Sequence, residues 1–332
     1  MDIKQIVLAS RPKGMPSEEQ FRTETVSLPQ LQDGEVLVKA LYFSVDPYMR
    51  GRMNDAKSYA PPYKVDEPIV GGGIAKIVET KSANFQKDDI VQGSLPWATE
   101  SVAKGQSLQK IDTSLAPAPY YLGILGMPGL TAYFGLLHIG KPKEGETVVI
   151  SGAAGAVGIV VGQIAKLKGC RVVGIAGSEE KIKLLKEEFH LDEVINYKTT
   201  PDMKKAIEET CPNQVDVYFD NVGGSISDAV IANINFHARI VLCGQIALYN
   251  ATEVPTGPRL QPMLLTRSAL MQGFIVGNFK EHFREGIEQL SQWVKEGKLK
   301  YEETIVEGFD QLPEAFLGLF SGKNKGKMVV KV

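Results

Sequence analysis

The chain has 332 residues, 43% of them hydrophobic and 23% charged, which suits two globular domains and excludes disordered, collagen-like and disulfide-rich classes. Lys and Arg number 37 against 39 Asp and Glu, so the net charge of −2 offers no basic field for nucleic acid or an anionic membrane. Three widely spaced cysteines, Cys170, Cys211 and Cys243, can build neither a disulfide framework nor a four-thiolate zinc site, and they point to a reducing compartment, the cytoplasm.

In chain order, Met1 to Gly14 carries Asp2, Lys4, Arg11 and Lys13 around a short apolar patch, too interrupted for a secretory signal. Residues 1 to about 120 read as β-rich, with strands at Glu35–Leu41 and Gly73–Glu79. From about residue 145 short apolar strands alternate with amphipathic helices, the pattern of a parallel sheet. The predicted strands are Thr147–Ser151, Arg171–Ala176, Glu193–Tyr197, Val215–Asp220, Arg239–Cys243 and Gln272–Val276. Between them a helix over Glu179–Phe189 places Ile182, Leu185 and Phe189 on one face, so the sheet is expected to be buried on both sides. A further helix is predicted over Lys280–Gly297, followed by strand, helix and strand to Val332. The long uncharged run Thr147–Ala165 breaks at Ser151–Gly152 and reads as a buried strand, a glycine turn and a helix rather than a membrane span.

Gly152, Gly155 and Gly158 stand directly after that strand, where a tight turn brings backbone N–H groups and a helix N-terminus to a pyrophosphate. Alone, such glycines could simply pack a helix on a sheet; the surrounding βα units favour a dinucleotide site. An acid at the end of the second strand would hold the adenosine ribose and repel a 2′-phosphate. Neither Asp nor Glu occurs between Thr147 and Ser178, and Lys181 opens the next helix, so NADP(H) is the expected cofactor. Glu179 and Glu180 precede Lys181, which leaves open a merely solvated lysine.

The segments DPYMRGRM, GAAGAVG, GIAGSEEK, NYK, FDNVGG, CGQIALYN and GFIVGNF occur in this order. Together they resemble the zinc-independent branch of the medium-chain dehydrogenase/reductase superfamily, specifically the leukotriene B4 12-hydroxydehydrogenase, prostaglandin reductase and alkenal double-bond reductase family. The resemblance implies a GroES-like β-barrel catalytic domain (1–125), a Rossmann domain with a doubly wound parallel sheet (126–297) and a returning segment (298–332). It implies that Gly155, Ala156, Val157 and Gly158 contact the pyrophosphate, and that Lys181 and Tyr197 contact the 2′-phosphate. Asn221 would lie near the nicotinamide, which Cys243, Gly244 and the segment to Tyr249, with Phe274, Ile275 and Val276, would line; Asn324 would add a contact from the tail. A homodimer is expected by the same resemblance.

No zinc is expected. Where the zinc enzymes of the superfamily carry Gly-His-Glu this chain has Ile69-Val70-Gly71-Gly72-Gly73, and His138, His190, His237 and His282 are scattered as surface or packing residues. The substrate implied is a small unsaturated carbonyl compound that accepts hydride at its β-carbon, leaving an enolate oxygen to be stabilised. Tyr249 is the first candidate donor, the alternative being that it only packs against the cofactor; Tyr48 is the second. Met127 reads as a domain-junction residue, and Met53, Tyr59 and Tyr63 as a substrate loop. Two other functions stay open: an NADPH quinone reductase and a weakly catalytic NADPH-binding redox sensor.

Overall fold

A computed structural model describes residues 2–332. The chain runs β1 (Asp2–Leu8), β2 (Phe21–Ser27), β3 (Glu35–Ser44), α1 (Met49–Arg52), β4 (Val70–Thr80), β5 (Ile90–Pro96), β6 (Glu100–Lys104) and β7 (Leu108–Lys110). It continues through α2 (Met127–Phe134), β8 (Thr147–Ser151), α3 (Gly158–Leu167), β9 (Arg171–Ala176), α4 (Glu179–Glu187), β10 (Glu193–Asn196), α5 (Met203–Thr210) and β11 (Val215–Asp220). It closes with α6 (Gly224–Ile231), β12 (Ile234–Leu242), α7 (Gln261–Thr266), β13 (Leu270–Gly273), α8 (Phe283–Lys295), β14 (Glu303–Glu307), α9 (Leu312–Ser321) and β15 (Lys327–Lys331).

Two compact units result. The first comprises Met1–Leu122, Thr304–Asn324 and Met328–Val332; the second comprises Gly123–Glu303 and Lys325–Lys327. In the first, a seven-stranded sheet runs β14-β15-β3-β4-β5-β7 with β6 also pairing β3, and β1 and β2 form a separate antiparallel pair. Alternation turns Val36, Val38 and Ala40 of β3 inward, and a register shift after Ala40 brings Phe43 to the same core, with Ile6, Leu8, Trp97 and Phe316.

In the second unit six parallel strands run β10-β9-β8-β11-β12-β13. The chain winds outward from β8 through β9 to β10, then returns to lay β11 on the other side of β8, with Ile150 opposite Phe219. The crevice where winding reverses therefore lies between the carboxyl ends of β8 and β11, the usual ligand position in such sheets. All five residues of β8 are buried, as are Gly158 through Ala165 of α3, so the long uncharged run is core. No helix among the described residues is long and apolar enough to cross a membrane.

The structure corrects three expectations about the sheet edge at β13 and the helix after it. The sheet is covered on both faces only at its centre, since β13 is an edge strand with Leu270 48% exposed. That strand ends at Gly273, because the Phe274 ring turns onto Phe219 (centroids 6.5 Å apart) and Phe279 (6.1 Å). The expected helix from Lys280 begins as a 3-10 turn, Val276–His282, and becomes α-helical at Phe283.

Candidate active site

Gly152 follows β8 at φ +60, a conformation that side chains disfavour. Its carbonyl accepts the Gly155 N–H at 3.0 Å, and a Cβ on Gly158 would stand 2.4 Å from that same oxygen. Sequence thus dictates a turn that only glycine can close, feeding straight into α3, whose first turn has no acid. Ala156, Val157 and Gly158 present their backbone at this N-terminus, suited to an anion. The segment Lys325–Lys327 runs alongside, its Gly326 N–H bonding the Ala154 carbonyl at 2.9 Å.

One strand outward, Ser178 follows β9 and caps α4, its hydroxyl oxygen accepting the Lys181 N–H at 3.3 Å. The Lys181 ammonium is half-buried and its pKa is lowered, first by burial and then by the Lys198 charge, with Glu180 opposing. Tyr197 lays its ring over Gly177, where a Cβ would be 2.7 Å from Cε1. The two acids before Lys181 have other partners: Glu179 accepts from Asn196 at 2.7 Å, and Glu180 pairs with Lys325 at 2.6 Å. Two lysines whose charges disfavour each other are suited to a shared anion.

At the crevice, Asn221 donates its backbone N–H to Ser151 Oγ (2.9 Å) and its Nδ2 to the Ser151 carbonyl (2.8 Å). The Cys243 and Gly244 N–H groups bond the Asp220 carbonyl at 2.9 and 3.0 Å, bringing the next segment beside Asn221. Burial, and then Asp220, push the Cys243 thiol up to about 12, so at neutral pH it is no nucleophile. Tyr249 closes a 3-10 turn (Ile246–Leu248), and its phenol oxygen accepts the Gln245 N–H at 3.3 Å. Burial raises its pKa, and the accepted bond leaves the phenol proton available for donation. Phe274 leaves the sheet through an N–H bond to the Leu242 carbonyl at 3.4 Å; Ile275 is exposed, its N–H on Asn278 Oδ1 at 2.9 Å, and Val276 begins the 3-10 turn.

Tyr48 and Asn324 belong to the first unit. Tyr48 precedes α1, and burial, followed by the Asp46 charge, raises its phenol to about 12 against the opposing Arg52. Arg52 lies over the Tyr63 ring at 4.1 Å, and the Tyr63 hydroxyl donates to the Val70 carbonyl at 2.7 Å. Tyr63 and Met53 are therefore core residues rather than parts of a substrate loop; Tyr59, 62% exposed, is the surface residue of the three. Met127 is the first residue of α2, and His138 packs on Phe134 with centroids 5.1 Å apart. Among the described residues no group of three or more His, Cys, Asp or Glu is placed to hold a metal ion.

Two family models match: the N-terminal domain of oxidoreductase over residues 4–111 and a zinc-binding dehydrogenase over 156–293. The NADPH-dependent curcumin reductase of Escherichia coli (strain K12) is 43% identical over 331 residues, 98% of this chain and 96% of the relative. The NADP(+)-dependent 2-alkenal reductase of Nicotiana tabacum is 42% identical over 334 residues, 99% of this chain and 97% of the relative. The crystal structure of CurA from Vibrio vulnificus in complex with NADPH is 44% identical, covers 99% of both chains and superposes with a TM-score of 0.94. The chain belongs to the zinc-independent medium-chain dehydrogenase/reductase family. Its units accordingly have the GroES-like and Rossmann architectures.

In this medium-chain reductase the second unit gathers the glycine turn, Asn221 and Cys243 to Tyr249 at one crevice, with Lys181 and Tyr197 at the end of β9. Reading the sequence missed Lys198, Ser178, Asp220 and Gln245. Lys198 directly follows Tyr197, and Asp220 ends the strand Val215–Asp220, within the segment FDNVGG.

Proposed function

We propose that this chain is an NADPH-dependent oxidoreductase that reduces the C=C bond of α,β-unsaturated ketones and aldehydes. The observation that carries this is identity above 40% along nearly the whole chain with enzymes named NADPH-dependent curcumin reductase and 2-alkenal reductase. The second unit suits the cofactor: a turn closed to any Cβ at Gly158 leaves backbone room for a pyrophosphate, and the cations of Lys181 and Lys198, near the Tyr197 phenol, suit a 2′-phosphate. NADPH supplies the hydride when bound. Gly155 to Gly158 hold its pyrophosphate, Lys181 and Tyr197 its 2′-phosphate, and Asn221, Cys243, Gly244 and Phe274 to Val276 its nicotinamide end, with Asn324 contributing from the tail.

Tyr249 holds a proton at its phenol oxygen and hydrogen-bonds the substrate oxygen as negative charge develops there; an ordinary phenol is neutral at neutral pH, and burial further disfavours its charged form. Tyr48, held by Arg52, shapes the substrate side. We also infer a homodimer, supported by the open edge of β13 with its exposed Leu270 and by the exposed Ile275. The free thiols of Cys170, Cys211 and Cys243 support cytoplasmic residence.

NADPH consumption measured by absorbance with an enal, an enone, a saturated aldehyde and a quinone tests the function. Turnover of enal and enone is expected. Turnover confined to the quinone would contradict the proposal.

A further inference from the structure

Asp220 ends β11 with its carboxylate fully buried, and six donors converge on it. Its Oδ1 accepts from Ser151 Oγ (2.9 Å), the Tyr218 hydroxyl (2.8 Å) and the N–H groups of Val222 (3.0 Å) and Gly223 (2.9 Å). Its Oδ2 accepts from Ser227 Oγ (2.9 Å) and Gln245 Nε2 (3.1 Å). Bonds to Val222, Gly223 and Ser227 would do no more than cap the turn into α6. Ser151 and Gln245, by contrast, lie on other strands' ends, and each holds one half of the crevice.

Ser151 fixes Asn221 through both the backbone and the side-chain amide. Gln245 fixes the following segment, for its backbone N–H goes to the Tyr249 hydroxyl and its Nε2 also donates to the Gly244 carbonyl at 2.9 Å. The amide lies against Gly223, where a Cβ would stand 2.1 Å from Gln245 Oε1, so only a glycine there admits it. We propose that Asp220 is the positioning residue of the nicotinamide end, a single buried carboxylate that holds Asn221 through Ser151 and Tyr249 through Gln245 before the cofactor arrives. This rests on the reductase reading above.

A carboxylate suits this place because the Val222 and Gly223 N–H groups and Gln245 Nε2 can only donate, and they face both of its oxygens. Asp220→Asn must direct its NH₂ away from the Val222 and Gly223 N–H groups, which cannot reverse, and therefore toward Ser227 and Gln245. The Ser227 hydroxyl can rotate to accept. Gln245 cannot turn its amide over without setting Oε1 against the Gly244 carbonyl, so the substitution severs chiefly the arm that leads to Tyr249.

Three readouts are taken on Asp220→Asn, Gln245→Met and the double variant: kcat with an enal, affinity for adenosine 2′,5′-bisphosphate, and amide hydrogen exchange without cofactor. Each single variant is expected to lower kcat about tenfold, a fraction of what misplacing a reacting group by 1 Å costs. The double variant should be no worse than either single, because both cut one link. Exchange over residues 244–249 should accelerate while the bisphosphate, which engages only the far end of the site, binds within about twofold of wild type. Unchanged kcat and exchange in a folded variant, additive losses, or a parallel fall in bisphosphate affinity would overturn the proposal. Should Asp220→Asn fail to fold, Gln245→Met decides by the same kcat and exchange criteria. Failure of the wild type to reduce an enal would sink the reductase reading instead, and exchange in the cofactor-free protein would still decide the role of Asp220.

Discussion

Gly158→Ala puts the glycine turn under direct stress. The added methyl carbon would lie 2.4 Å from the Gly152 oxygen and 2.7 Å from both Cα and the carbonyl oxygen of Ala153, all backbone atoms with no rotamer to yield. Relief requires the turn to move, breaking or stretching the Gly155 N–H bond to Gly152 and the Ala153 N–H bond to Ile175, 3.0 and 3.1 Å long. Overpacking of this kind costs about 1–3 kcal/mol, partly offset by Ala's advantage of up to about 1 kcal/mol in a helix. The melting temperature should fall by about 2–6 °C. Displacement of the turn should weaken NADPH binding at least about tenfold, or about 1.4 kcal/mol. Gly155→Ala is the internal comparison, since its Cβ meets only the Gly152 oxygen, at 3.2 Å, and it should melt closer to wild type. Thermal melts and fluorescence titration with NADPH give both numbers. A Gly158→Ala protein with wild-type melting and affinity would refute the steric reasoning.

Tyr249→Phe deletes only the hydroxyl and should lower kcat with an enal about 10²-fold while changing NADPH affinity less than about twofold; steady-state kinetics beside a direct titration separates a donor from a packing role. Lys181→Ala should shrink the preference for NADPH over NADH about 10- to 100-fold, through the NADPH KM, as loss of a charge-assisted bond worth about 1.5–3 kcal/mol implies; kcat/KM for both coenzymes checks it. Glu303 has its carboxyl raised to about 7, chiefly by burial, with Glu302 adding and Lys327 opposing. A carboxyl raised in the folded state stabilises fully below its unfolded value and loses that contribution as pH rises through about 7. Glu303→Gln should therefore gain stability relative to wild type between about pH 5 and pH 8, by about 1 kcal/mol after allowance for solvent screening. Melts at the two pH values check the sign.

How far the sequence could be read follows from where local chemistry decides the fold. Runs of β-branched residues located Thr147–Ser151, Arg171–Ala176 and Val215–Asp220 to the residue, because these strands are buried at the sheet centre. β12 was read from Arg239 yet begins at Ile234; His237, at φ +59, interrupts its alternation and the register with β11 shifts there, so no period-two pattern marks it. β13 was misplaced because its end is set by the Phe219, Phe274 and Phe279 rings, which come together only in the fold. The glycine turn was legible because its constraint is local, whereas Tyr63 was not, since the Val70 carbonyl and the Arg52 guanidinium that claim it are brought by tertiary packing. Lys198 acts on Lys181 of α4, and Asp220 on Ser151 and Gln245, partners that only the fold brings together, so no spacing announces them.

The central claim is hydride delivery to the β-carbon of an unsaturated carbonyl compound rather than to its carbonyl carbon or to a quinone. Reduction of an enal with NADPH deuterated at the transferring position of the nicotinamide, with the product analysed by NMR, tests it most directly. Deuterium at the β-carbon of a saturated aldehyde is the expected result; deuterium on the carbinol carbon of an allylic alcohol, or none in the product, would contradict it.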